Sequence, residues 1–140
     1  IEGLNFLFST RLCANVITQV GIQTALGGYQ SINDLVLPTG RLARQMNLAI
    51  EKLNAIPGVT CIKPKGALYL FPKFDLSQFD FEDDNHFVMS LLEEQKILVV
   101  GGQGFNYKEK DHFRIVFLPH VEQLTVALDK IALHFDNHRI

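Results

Sequence analysis

Pro57-Gly58-Val59-Thr60-Cys61-Ile62-Lys63-Pro64-Lys65-Gly66-Ala67-Leu68-Tyr69-Leu70-Phe71-Pro72 is where the hydrophobic period of the chain changes. Before it, Leu42, Met46, Ala49, Ile50, Leu53 and Ile56 recur at helical spacing, while Arg44, Gln45, Glu51 and Lys52 lie off that stripe. That pattern predicts a helix over Pro38–Ile56. Pro57-Gly58 stops it, because proline has no amide hydrogen and glycine accepts the turn. Beyond it, Val59–Ile62 reads as a short strand, residues 63–66 as a turn, and Ala67–Phe71 as a second, buried strand.

Further along, Asp83 or Asp84 is positioned to cap a helix reaching about Gln95, with Phe87, Val88, Leu91 and Leu92 facing inward. Ile97–Val100 is apolar at every position, which predicts a strand covered on both faces. Gly101, Gly102 and Gly104 make a loop. His112–Phe117 is another strand, ended by Pro119, and residues 120–136 form a last helix with Val121, Leu124, Leu128, Ile131 and Phe135 on one side. The order predicts an α+β fold, a small antiparallel or mixed sheet with helices on one face.

Upstream, residues 1–9 and 15–26 read as helices with a break near Arg11–Asn15, Asn15 as an N-cap and Gly27-Gly28 as a stop. Leu4, Phe6, Leu7, Phe8, Val16, Ile17 and Val20 make this opening segment apolar enough to read as the edge of a larger body. The best domain cut falls near Ser31–Pro38, giving segments 1–37 and 38–140.

Composition bounds the function. The chain has 140 residues, 47% hydrophobic and 20% charged, with 11 Phe, so a real core can offset the ordering entropy. No run of about 18 uncharged apolar residues predicts a membrane span. Thirteen basic against 15 acidic residues give a net charge of −2, with no basic surplus for a nucleic acid partner. Cys13 and Cys61 have no ligand-like spacing, and so few cysteines suit a reducing, cytoplasmic setting.

Arg114 is the most informative single residue. Strand alternation puts it on one face with His112 and Val116, opposite Phe113, Ile115 and Phe117. A guanidinium inside an apolar strand must meet an anion or reach water, and its planar fork suits two-point pairing with a carboxylate. A solvated Arg, or a structural pair with Asp111, is the other reading. His112 could line a site on the same face. Gly101-Gly102-Gln103-Gly104-Phe105 is neither GxGxxG nor followed by GK[ST], so it reads as a turn allowing close backbone approach.

His134 and His138 have the spacing of two metal ligands on one helix face, but no third ligand stands near in sequence and the helix ends there. They read as surface histidines, like His86 and His120, and no metal is expected. The acidic run Asp75, Asp80, Glu82, Asp83, Asp84 lacks the EF-hand pattern, and capping accounts for Asp83 and Asp84. Glu93-Glu94 read as a solvated face. Lys63, Lys65 and Lys73 flank the second strand near water, unlike a desolvated Schiff-base amine.

Pro57-Gly58-Val59 followed by Lys63-Pro64-Lys65-Gly66-Ala67-Leu68-Tyr69 resembles a signature of the class I/II aminotransferases, fold type I enzymes that use pyridoxal phosphate. Gly102-Gln103-Gly104-Phe105 and His112-Phe113-Arg114-Ile115 resemble a second signature, and Gln23–Gly28 is similar to the helix after the family's cofactor-lysine region. The resemblance covers nearly the whole chain and is nearest the bacterial alanine (glutamate–pyruvate) branch. It implies helices of a large domain over 1–37, an interdomain helix and small C-terminal domain over 38–140, and a homodimeric parent acting on an amino acid and a 2-oxo acid. It implies that Arg114 binds the substrate α-carboxylate. Arg11, beside a segment similar to the family's Ser-Asn-Pro-Pro loop but lacking its prolines, is a second candidate. The family's Ser-x-Ser-Lys-type motif has no match here, so no catalytic or cofactor-holding residue is expected in this chain, and the chain alone is expected to be inactive. A non-enzymatic amino-acid-binding regulatory domain of ferredoxin-like type is the competing reading.

Overall fold

A computed structural model describes residues 1–10 and 15–140. The break expected near Arg11–Asn15 therefore lies largely outside the described residues, as do Arg11 and Cys13. The chain divides into two units, Ile1–Asp34 and Leu35–Ile140.

The first unit holds α1 (Glu2–Thr10) and α2 (Val16–Gly27). Asn15 caps α2, its side-chain oxygen accepting from the Thr18 amide at 3.1 Å. The Gly28 amide closes the helix on the Thr24 carbonyl at 2.8 Å, and a Cβ at Gly28 would collide with that carbonyl. Neither helix buries a residue; Phe6 is 72% exposed, and Phe8, Ile17 and Val20 lie open as well. A short helix, α3 (Ile32–Val36), forms within the stretch where the sequence placed the domain cut.

In the second unit the elements are α4 (Arg41–Asn54), β1 (Val59–Thr60), β2 (Tyr69–Leu70), β3 (Lys73–Phe74), α5 (Asp84–Gln95), β4 (Val100–Gly101), β5 (Phe113–Val116) and α6 (Val121–Asn137). The helix expected from Pro38 starts at Arg41, since residues 37–40 make a turn closed by the Gly40 amide on the Leu37 carbonyl at 2.7 Å. Gly58 follows α4 at φ +86°, a left-handed conformation that glycine takes without strain.

Both sheets are antiparallel: β1 pairs with β3, and β2-β5-β4 form a three-stranded sheet with β5 in the centre. On β5, Phe113 and Ile115 are buried while Arg114 and Val116 face outward. The inward face meets a phenylalanine cluster. Phe135 of α6 stacks on Phe87 of α5 at 4.7 Å, Phe87 meets Phe113 at 4.7 Å, and Phe79 meets Phe135 at 4.9 Å. Leu53, Leu91, Leu128 and Ile131 complete this core. Cys61 is a free, buried thiol whose pKa burial pushes up to about 11.

Several expectations are corrected. The second strand is half-buried, not buried: Leu70 faces the core and Tyr69 lies open. Ile97–Val100 is not a strand covered on both faces: Val99 is buried but Leu98 is 73% exposed, and β4 begins only at Val100. Val121 is exposed at the first turn of α6. Gln45, placed off the α4 stripe by the sequence, is fully buried. Its amide donates to the Leu118 carbonyl at 3.1 Å and also to that of Pro119, satisfying acceptors where the chain leaves β5 for α6.

Phe135→Ala should remove the ring on which α5, α6 and β5 converge. We expect a loss of about 3–5 kcal/mol in urea unfolding, with little change in slope. A loss below about 1 kcal/mol would show that the cluster is not the centre of this core.

Candidate functional site

The side chain that the alternation of β5 sends outward is the guanidinium of Arg114. Its strand neighbour on the β4 side is Val100, and Tyr69 stands opposite Val116 on β2. Directly opposed residues share a face, so Tyr69, Val100 and Val116 surround Arg114 with exposed apolar surface. An open groove of about 510 Å³ runs past it, lined by Val100, Val116 and Leu118 among others.

Two aromatic rings hold the guanidinium. Its central carbon lies 4.6 Å from the centre of the Tyr69 ring and 4.3 Å from that of Phe105. Both are cation–π distances, each worth about 0.5–1 kcal/mol at an exposed site. Among the described residues Arg114 has no ion pair, and its buried Nε has no hydrogen-bond partner. The structural pair with Asp111 is not formed. Asp111 instead binds Lys73 at 3.1 Å and the His112 Nδ1 at 2.6 Å, and its hydrogen bond and charge raise the Lys73 pKa. His112 is held by more than Asp111: it stacks on Phe71 at 5.0 Å and meets Tyr107 at 4.6 Å.

Phe105 reaches Arg114 because a 3-10 turn, Gly102–Phe105, is pinned from below. The pin is Asp84, which sequence reasoning assigned to helix capping. Asp83 is the cap, accepting from the His86 amide at 2.9 Å; that bond first, with the Gln103 side chain, holds its carboxyl below the ordinary range. Asp84 is fully buried and accepts from the Gln103 amide at 2.9 Å and from the Gln103 side chain. The glycines are explained by this packing. A Cβ at Gly101 or Gly102 would sit 3.2 Å from the Asp84 carboxylate, and at Gly102 also 3.3 Å from Phe71. The one signal in the sequence was Asp-Asp at a helix start, where a single cap needs only one of the two.

The lysines sit as expected. Lys63 bonds Asn47 at 3.1 Å in the open, Lys65 is exposed, and Lys73 is tied to Asp111. His134 is a correction: it is 0% exposed, not a surface residue. The end of α6 is pinned, since the Asp80 amide bonds the His138 carbonyl at 3.0 Å and the Ile140 amide bonds the Gln78 carbonyl at 3.1 Å. Burial, then the neighbouring His138, lowers the His134 pKa.

The sequence profile of aminotransferase class I and II matches residues 7–131. The chain belongs to that family. It is 53% identical over 139 residues to glutamate–pyruvate aminotransferase AlaA of Haemophilus influenzae, covering 99% of this chain and 34% of the relative. It is 50% identical to an alanine aminotransferase of Mycobacterium tuberculosis, covering 99% of this chain and 32% of that one. A crystal structure of an Escherichia coli aminotransferase matches with TM-score 0.85 at 50% identity, covering 99% of this chain and 34% of that one. An alanine aminotransferase from Pyrococcus furiosus matches with TM-score 0.80 at 31% identity, over 98% and 34%. The chain spans about a third of the length of the relatives it matches. Family membership displaces the ferredoxin-like regulatory reading. Among the described residues no helix is long and apolar enough to cross a membrane.

Asp84→Ala should free the turn beneath Arg114. The Gln103 amide is expected to lose its hydrogen-exchange protection, with a stability loss of about 1–3 kcal/mol. Unchanged protection at Gln103 would mean that the turn is held by its glycines alone.

Proposed function

We propose that this chain is the C-terminal part of an alanine/glutamate–pyruvate-type aminotransferase, and that Arg114 binds the α-carboxylate shared by the amino acid and the 2-oxo acid. The observation that carries this reading is the guanidinium's state: over the rings of Tyr69 and Phe105 and, among the described residues, without a protein carboxylate. The rings fix the plane of the fork, so a carboxylate meeting its free donors is held at two points and the substrate's Cα takes one orientation. The apolar surroundings of Tyr69, Val100 and Val116 strengthen that pairing wherever water is excluded.

The described residues do not fit a pyridoxal phosphate site. None of Lys63, Lys65 and Lys73 is desolvated, and the glycine turn is filled by Asp84 rather than open to a phosphate. In this reading the cofactor and its lysine belong to parts of the protein beyond these 140 residues. Residues 1–37 then belong to the large domain, whose exposed apolar helices fit against it, and residues 38–140 comprise the interdomain helix and small domain. Arg11 remains a second candidate for substrate contact. A cytoplasmic homodimer is the assembly the reading implies.

Two experiments test it. In the complete enzyme, Arg114→Lys should raise KM for the amino acid and lower kcat/KM by about ten- to a hundredfold, as expected for a charged hydrogen bond lost from a two-point fork. Near-normal kcat/KM would remove Arg114 from substrate binding. The 140-residue chain, mixed with pyridoxal phosphate and treated with borohydride, should give no stoichiometric label at a single lysine. Such a label at Lys63, Lys65 or Lys73 would overturn the assignment of the cofactor amine elsewhere.

A further inference from the structure

Away from Arg114, a second group of side chains has no role in the reading above. Glu94 on the last turn of α5 faces His134 and His138 at the end of α6. The spacing of the two histidines is visible in the sequence, but the third member arrives from another helix.

One arrangement of protons turns both imidazole lone pairs toward Glu94. With Ser90 Oγ donating to the Phe87 carbonyl at 3.0 Å, it accepts from His134 Nε2, 2.9 Å away. His134 then holds its proton on Nε2. Its Nδ1 keeps a lone pair, buried and, among the described residues, without a hydrogen bond, 3.3 Å from Glu94 Oε2. His138 donates from Nδ1 to Asp80 Oδ1 at 2.7 Å, which turns the lone pair of its Nε2 toward Glu94 Oε1 at 3.1 Å. Two imidazole lone pairs thus converge on a carboxylate, itself an acceptor only. Three acceptors in one place repel one another unless a proton or a metal ion stands among them, and a metal ion can meet all three at once.

The dimensions suit a metal. One ligand atom from each residue lies within 4.8 Å of the others. Zinc–nitrogen and zinc–oxygen bonds of about 2.0–2.2 Å give tetrahedral edges of roughly 3.3–3.5 Å. The separations of 3.3 Å from His134 Nδ1 to Oε2 and of 3.1 Å from His138 Nε2 to Oε1 are close to such edges, one on each oxygen of the Glu94 carboxylate. Phe81 lies against both rings, 5.5 Å from His134 and 4.8 Å from His138, and fixes their tilt. Asp80 and Ser90 supply the outer hydrogen bonds that metal-bound histidines usually have.

The geometry points to a divalent transition-metal site, of the zinc class, formed by His134 Nδ1, His138 Nε2 and the Glu94 carboxylate. Imidazole and carboxylate donors together favour Zn²⁺, Co²⁺ or Ni²⁺ over the all-oxygen ions Mg²⁺ and Ca²⁺. Three protein ligands leave the fourth position to water. The bound ion would tie the last turn of α5 to the end of α6, and so act on stability rather than on the Arg114 chemistry.

The test is titration of the metal-stripped full chain with Co²⁺ and Zn²⁺, followed by visible absorption, calorimetry and thermal unfolding. One Co²⁺ per chain should bind with a tetrahedral ligand-field band, Zn²⁺ should displace it, and either ion should raise Tm. Glu94→Gln and His138→Asn, both at partly exposed positions, should keep the native circular dichroism and weaken binding more than tenfold. Asp80→Asn should weaken it by about ten- to a hundredfold. His86→Asn and His120→Asn should bind as the parent chain does. The proposal fails if no stoichiometric binding occurs, or if Glu94→Gln and His138→Asn bind normally. It also fails if the spectrum carries a thiolate band that Cys13→Ser or Cys61→Ser removes.

Discussion

A strand has two faces, and β5 cannot bury both. Phe113 and Ile115 take the inward positions because the Phe87–Phe135 stack lies there. Their burial fixes the strand's register, since a slip by one residue would put Arg114 into the phenylalanine core. An unpaired guanidinium there would cost far more than the sheet gains. The same choice that builds the core therefore sends Arg114 outward, with Val100 and Val116 beside it on the open face.

Facing outward does not by itself make a binding group, because a free arginine side chain samples many rotamers and loses that entropy on pairing. Tyr69 and Phe105 reduce this cost beforehand. Tyr69 belongs to β2 and needs only the sheet. Phe105 sits on a turn with little structure of its own, and its position depends on Asp84. A buried carboxylate is stable only when its oxygens are bonded, and the Gln103 amide and side chain supply those bonds. Burial of one acid in α5 is thus converted into order at a ring on the sheet's far face.

Much of this was legible in the sequence, for physical reasons that also explain the omissions. Helical spacing in α4 and α6, the Asn15 cap and the alternation around Arg114 are local patterns, and local patterns survive in one dimension. Gln45, Asp84 and His134 are polar residues buried by partners 73, 19 and 44 positions away. A polarity-based reading puts such residues in water. Leu98 misled in the opposite sense, because a run of apolar residues does not say how many of its faces other elements cover. Cation–π contact to Phe105 was equally out of reach, since nothing near Phe105 signals what its ring covers.

The strength of the Arg114 site depends on what else stands over it. An exposed arginine–carboxylate pair in water is worth about 0–1 kcal/mol, too little to hold a small substrate. The rings of Tyr69 and Phe105 shield part of the fork, yet both are themselves well exposed in this chain. The exposed apolar positions around them, Val100, Val116 and Leu118, are the surface that a covering body would dry. Lower local dielectric would then raise the pairing energy severalfold without moving Arg114. Under the proposed role of Arg114, the 140 residues supply the direction of the grip, and its affinity depends on the exclusion of water from a face that this chain leaves open.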